Sequence, residues 1–233
     1  KKKGIIVTNT PGVLTETTAD LTFALLLATA RRITEAEQDI RAGKWKSWTP
    51  MQLTGMDVYG STLGIIGMGR IGEAVARRAK GFDMKVLYHN RTRKLESEQQ
   101  YNFTYVELET LLKESDFVVI LTPLTPETRG LIGKKELEMM KETSALINVA
   151  RGGIVDEQAL YDALVNKSIW AAGLDVFETE PVPLDHPLLT LPNVTVLPHI
   201  GSASIYTRLA MMQINATAIE DALEERVPEN RVV

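Results

Sequence analysis

Residues 67–72 read Gly-Met-Gly-Arg-Ile-Gly, directly behind the apolar run Thr62-Leu63-Gly64-Ile65-Ile66 and at the head of a stretch with helical apolar spacing. This placement constrains the chain more than any other feature. Between a strand and a helix, Gly67 permits a tight turn, Gly69 lets a pyrophosphate approach the backbone, and Gly72 lets the helix pack on the strand. Arg70 and Ile71 open that helix, whose free N–H groups then face the anion.

The surrounding pattern supports the same unit. From Gly60 to Pro198, short apolar runs alternate with helical stretches, as in a parallel sheet with crossover helices. Six strands are expected, at 63–66, 85–88, 117–121, 145–149, 171–174 and 194–197. Ile71, Val75, Ala79 and Phe82 recur on one helical face, and Asp156 offers an N-cap for a helix running to about Val165. The expected fold is therefore α/β, a doubly wound parallel sheet of the Rossmann dinucleotide-binding type.

Two helices flank this unit. The first is expected from about Glu16 to beyond Arg32, with 21–27 apolar around more than one face. It is either an internal core helix or one shared with a second subunit. The last, Ser204 to about Glu224, carries Ile205, Leu209, Met212, Ala216, Ile219 and Leu223 on a stripe that requires a partner surface.

Composition narrows the function. The 26 Lys+Arg against 30 Asp+Glu leave a net charge of -4, so no global basic field exists for nucleic acid or an anionic membrane. The absence of cysteine removes thiol nucleophiles, disulfides and iron–sulfur ligation, three histidines share any imidazole chemistry, and no metal site is expected. The longest apolar run, Phe23–Ala28, falls far short of the roughly 18 residues of a membrane helix. These features favour a soluble, cytoplasmic protein. The start, Lys1-Lys2-Lys3-Gly4 before a strand-like 5–8, reads as a chain entered within a domain.

The end of the second strand sets cofactor choice. An NAD site places a carboxylate there, roughly 20 residues beyond the glycines, to bind the ribose hydroxyls. Here the chain reads Tyr88-His89-Asn90-Arg91-Thr92-Arg93-Lys94, and Arg91, Arg93 and Lys94 suit the 2′-phosphate of NADP instead. NADPH is the expected cofactor, with NAD as the alternative.

Three further strand ends carry polar residues: Asn148-Val149-Ala150-Arg151-Gly152-Gly153, 173–181 with Asp175, Glu178 and Glu180, and Leu197-Pro198-His199-Ile200-Gly201-Ser202. Ligands of open parallel sheets bind at such ends. Reduction of a carbonyl requires a proton donor for the oxygen, a carboxylate to keep that donor charged, and a cation for an anionic substrate. His199 and Arg151 fit the first and last roles. The pattern alone leaves Asp175, Glu178 and Glu180 as equal candidates for the carboxylate, and places His186 in a structural turn.

Taken with Asn9-Thr10-Pro11-Gly12-Val13-Leu14-Thr15 and Glu180-Pro181, these motifs make the chain resemble the D-isomer-specific 2-hydroxyacid dehydrogenases over essentially its whole length. Residues 43–48, 65–72 and Asp185-His186-Pro187-Leu188-Leu189 are most similar to the glyoxylate/hydroxypyruvate reductases of that family. The resemblance implies that Arg151 holds the substrate carboxylate and carbonyl, that His199 is the acid–base, and that Glu180 bonds His199 and raises its pKa. It further implies cofactor contacts at Thr18, Gly67, Gly69, Arg70, Ile71, Gly72, Asn90, Arg91, Thr122, Pro123, Ala150, Asp175 and Gly201.

The resemblance also implies a small 2-oxo acid as substrate and a homodimer. It divides the chain into a dinucleotide-binding domain, 13–204, and a remnant of a flavodoxin-like substrate domain, 1–12 and 205–233. Two departures accompany it. The N-terminal substrate-domain segment of complete members is absent, and Gln52 stands where several reductases carry tryptophan. The rival readings are an NAD-linked dehydrogenase of D-lactate, D-glycerate or phosphoglycerate, and a dinucleotide-sensing module like the corepressors that share the fold.

Overall fold

The computed structural model describes residues 4–232, and the Lys1–Lys3 start lies outside them. Seven parallel strands form one sheet in the order β3-β2-β1-β4-β5-β6-β7. They are β1 (Thr62–Ile66), β2 (Lys85–His89), β3 (Thr104–Tyr105), β4 (Phe117–Ile120), β5 (Ala145–Asn148), β6 (Ala171–Leu174) and β7 (Val194–Val196). The chain leaves β1 toward β2 and β3, then returns to the other side of β1 with β4. The crevice between the carboxyl ends of β1 and β4 is thus the topological switch point, where such sheets bind ligands.

The six expected strands are present. The additional one, β3, is a two-residue edge strand beside β2. Such a segment is too short to show alternation, and only its pairing with Leu87 and Tyr88 defines it. Strands β4, β5 and β6 are buried at every position, which explains their continuous apolar runs.

Helices cover both faces. On one side lie α1 (Thr15–Ala30), α3 (Arg70–Ala79) and α4 (Leu95–Tyr101), and on the other α5 (Leu108–Glu114), α6 (Lys134–Met139) and α7 (Glu157–Val165). Val75 and Ala79 of α3 are fully buried against the sheet, while Ile71 and Phe82 pack at the margin. Asp156 caps α7 by accepting the Ala159 N–H at 2.9 Å.

The first helix is a core helix of this layer: Ala19, Leu25, Leu26 and Ala30 are buried and Ala24 is exposed. It is shorter than expected. It stops at Ala30, whose carbonyl accepts Met56 N–H from the returning chain at 2.8 Å. Arg32 then adopts a left-handed conformation (φ 52°) and pairs through two hydrogen bonds with Glu35 at the head of α2 (Ile33–Arg41). No glycine or proline marks this break, so periodicity runs through it.

The last helix, α8 (Ile205–Leu223), begins where expected, with the Ser204 hydroxyl accepting Thr207 N–H. Ile205, Leu209, Met212, Ile219 and Leu223 of its stripe are exposed. Near it the chain ends meet: Thr8 bridges Arg231 antiparallel, and Val232 N–H donates to Val7 O at 2.8 Å. Among the described residues no helix is long and apolar enough to cross a membrane.

Because α1 joins the sheet through fully buried side chains, Leu26→Ala should lower the unfolding free energy by about 2–5 kcal/mol through lost burial and a residual cavity. Urea denaturation measures it. A loss below about 1 kcal/mol would show that α1 is peripheral to the core.

Candidate active site

The glycine turn carries out the geometry its sequence requires. Gly67 has φ +104°, and a Cβ there would lie 2.6 Å from Thr122 N, so the loop after β1 presses on the loop after β4. A Cβ on Gly69, by contrast, would meet open space. Gly69 is also the N-cap of α3 and supplies no side-chain cap, leaving the helix N–H groups facing a groove. A close backbone approach, an open glycine and uncapped amides together fit a dinucleotide pyrophosphate.

That groove is lined by Asn9, Thr10, Leu14, Gly69, Arg70, Ile71, Gly72 and Arg151. It shares Leu14, Ile71, Leu121, Arg151 and Met211 with a cleft of about 980 Å³. The larger cleft gathers Thr18, Thr122, Pro123, Ala150, Arg151, Asp175, His199 and Gly201. Twelve of the sequence-derived positions therefore line one continuous depression, Glu180 reaches it through His199, and Gly67, Asn90 and Arg91 are not among its lining residues.

Asp175 organises the turn after β7. Its backbone carbonyl accepts His199 N–H at 2.9 Å, and its carboxylate oxygens accept Ile200 N–H and Gly201 N–H, each at 2.8 Å. The carboxyl is only 1% exposed, and burial pushes its pKa up against the opposing pull of those amides and of His199. Held this way, His199 sits at φ 54°, a left-handed conformation uncommon outside glycine and concentrated at functional sites.

Of the three carboxylates left open by pattern, Glu180 is the one on the histidine. Its Oε2 lies 2.6 Å from His199 Nδ1, and its Oε1 accepts Phe177 N–H at 3.0 Å. Glu178 instead lies 3.6 Å from Arg129. Burial works to raise the Glu180 pKa, but the His199 and Phe177 hydrogen bonds and the charge of Arg151 outweigh it and hold the carboxyl below its ordinary value. With Nδ1 engaged, Nε2 is the ring nitrogen left for a ligand in the cleft.

The cation is placed by its loop. Asn148, at the end of β5, accepts Ala150 N–H through Oδ1 and donates to Arg151 O through Nδ2, both at 3.1 Å. Gly152 then packs so tightly that a Cβ would lie 1.9 Å from Phe177 O, joining the Arg151 loop to the segment that carries Glu180. The motif by itself gives Asn148 no role; an asparagine closing a buried strand three residues before a cation is the available signal. Arg208 and Met211 of α8 also line the cleft and belong to no motif in the sequence.

The basic loop after β2 divides. Arg93 is bound to Glu98 by two hydrogen bonds of 2.7 Å, and Tyr88 OH donates to Glu98 at 2.6 Å while accepting Lys94 N–H. Arg93 and Tyr88 hold the Glu98 pKa down to about 2, and burial with the Glu98 bond pushes the Tyr88 phenol up to about 12. Arg93 is therefore paired with Glu98, while Arg91 of the same expected cluster is not. Arg91 is exposed and makes no salt bridge among the described residues.

The lowered Glu180 pKa fixes a sign. Its contribution to stability is complete above the pKa it has when unfolded and is lost as pH falls through the lower folded value. Melting curves over a pH series should therefore show wild type and Glu180→Gln separated at neutral pH and converging in acid. A constant separation would show that the pair does not titrate with folding.

Comparison with known proteins follows from this geometry. Residues 23–201 match the family described as D-isomer specific 2-hydroxyacid dehydrogenase, NAD binding domain. The glyoxylate reductase of Korarchaeum cryptofilum is 55% identical over 232 residues, covering 99% of this chain and 70% of that protein. A Thermus thermophilus protein of known structure superposes with a TM-score of 0.93 at 50% identity, covering 100% of this chain and 73% of that one. The NADPH-dependent glyoxylate/hydroxypyruvate reductase of Sinorhizobium meliloti, solved with citrate, superposes at 0.87 with 38% identity, over 100% and 72% of the two chains. The chain belongs to the D-isomer specific 2-hydroxyacid dehydrogenase family, and this part of it is the family's NAD-binding domain.

Proposed function

We propose that the protein is an NADPH-preferring reductase of small 2-oxo acids, glyoxylate and hydroxypyruvate, yielding the 2-hydroxy acids. The observation that carries this reading is the convergence of Arg151 and the Glu180–His199 pair on one cleft beside the glycine turn. The glyoxylate reductase names of the relatives support the substrate class.

A nicotinamide held in the cleft supplies the hydride. The chain supplies the rest. Thr18, Thr122, Pro123, Ala150, Asp175 and Gly201, which line the cleft, would hold it there, with the Gly67–Gly72 turn toward the pyrophosphate and Asn90 and Arg91 toward the adenosine ribose. Arg151 anchors the substrate carboxylate and orients the carbonyl, a bidentate task suited to guanidinium. His199 Nε2 gives its proton to the carbonyl oxygen as the neighbouring carbon is reduced, and Glu180 at Nδ1 stabilises the charged ring that donates it.

The paired terminal segments and the uncovered stripe of α8 support assigning 1–12 and 205–233 to a substrate-binding unit distinct from 13–204. Exposed Trp45, Trp48 and Met51, on the arm between α2 and β1, support a homodimer in which that arm is covered.

Two measurements on the full-length enzyme test the reading. Arg91→Ala should weaken NADPH binding at least tenfold, about 1.4 kcal/mol, while leaving NADH within about twofold; equal losses would favour the NAD-linked dehydrogenase. His199→Ala should lower kcat for glyoxylate by about 10²–10⁴ with the NADPH Kd preserved. Retained turnover would remove His199 from the role of acid.

A further inference from the structure

Glu157 opens α7, one residue after the capping Asp156. Its Oε1 accepts Glu178 N–H at 2.6 Å, and its Oε2 meets His186 Nε2 at 3.1 Å. Both side chains are well covered, 17% and 18% exposed, although neither lines the cleft. The His186 ring stands edge-on to Phe177 with centroids 5.9 Å apart, and its Nδ1 is buried without a hydrogen-bond partner among the described residues. One directed hydrogen bond and the Phe177 packing therefore hold this ring.

The segment so gripped, 177–186, is irregular: it follows β6 and leads into a short 3₁₀ turn, Pro187–Thr190, with no strand ladder to fix it. Its position must come from side-chain anchors. The anchors meet at the residues that matter. Phe177 N–H, adjacent to the amide that Glu157 takes, donates to Glu180 Oε1, and Glu180 Oε2 holds His199. On the opposite side Gly152 of the Arg151 loop lies against Phe177 O and Glu178 N.

We propose that Glu157 and His186 are positioning residues for the reaction, clamping the 177–186 segment so that Glu180 meets His199 and the Arg151 loop keeps its place against both. The inference rests on the reductase reading above and adds to it two residues outside the cleft. Displacement of a reacting group by about 1 Å is enough to cost two orders of magnitude in rate, so a clamp acting at this remove has a kinetic signature.

The test uses Glu157→Ala, His186→Phe, which keeps a packed ring but removes the Nε2 donor, and His186→Gln, which restores a donor. In the full-length enzyme, the first two should lower kcat by about tenfold or more with the NADPH Kd within about twofold. The acid limb of the kcat–pH profile should move to higher pH in both, because a displaced Glu180 loses the hydrogen bonds that keep its pKa low. Hydrogen exchange at the Phe177 amide should quicken by about tenfold or more in Glu157→Ala, and His186→Gln should return kcat to within about threefold of wild type. An unmoved acid limb with unchanged Phe177 exchange would overturn the proposal, as would losses of kcat that follow only the folded fraction. Should wild type reduce no 2-oxo acid, the reductase reading fails, and Phe177 exchange alone still decides whether the clamp exists.

Discussion

Asp175 gathers three consecutive backbone amides, those of residues 199, 200 and 201, onto its own carbonyl and carboxylate. The site depends on this arrangement. It holds His199 in a left-handed conformation that an unsupported loop would leave, and it brings Gly201 against Thr18 of α1, so a core helix and the last strand share one wall of the cleft. A buried carboxylate is expensive to desolvate, and here the amides offset part of that cost, burial still raising its pKa.

From that turn the contacts spread in two directions. One runs through Glu180 to Phe177 and across Gly152 to the Arg151 loop, where Asn148 fixes the chain end of β5. The other runs across the switch point, where the loop after β1 presses on the loop after β4 at Gly67. Cation, imidazole and anion cradle are therefore set by close backbone packing at Gly67 and Gly152 together with the side-chain hydrogen bonds of Asp175, Glu180 and Asn148. Such preorganisation is what charge development at a carbonyl oxygen requires.

Much of this was legible in the residues. The strand–turn–helix at 62–79, the capping by Asp156, and the polar ends of β5, β6 and β7 each follow from local chemistry: chain-reversal glycines, a short acceptor side chain at a helix start, and apolar runs long enough to be buried on both faces. The misses also have physical causes. The break after Ala30 is made by Met56, 26 positions along the chain, and β3 exists only because β2 is beside it. Arg93 looked equivalent to Arg91 until Glu98 of the following helix claimed it.

The sequence by itself determined the layer architecture, the position of the dinucleotide turn and the residue types available for chemistry, because these depend on periodicity and backbone freedom within some ten residues. Only the tertiary structure decided which partner each polar group takes. Glu180 rather than Glu178 or Asp175 meets His199, Asp175 becomes the anchor of the turn, and His186 becomes a partner of Glu157. The reason is that hydrogen bonds are satisfied in space: carboxylates within a few residues of one another are equivalent along the chain, and become distinct only when folding assigns each its own donors and its own degree of burial.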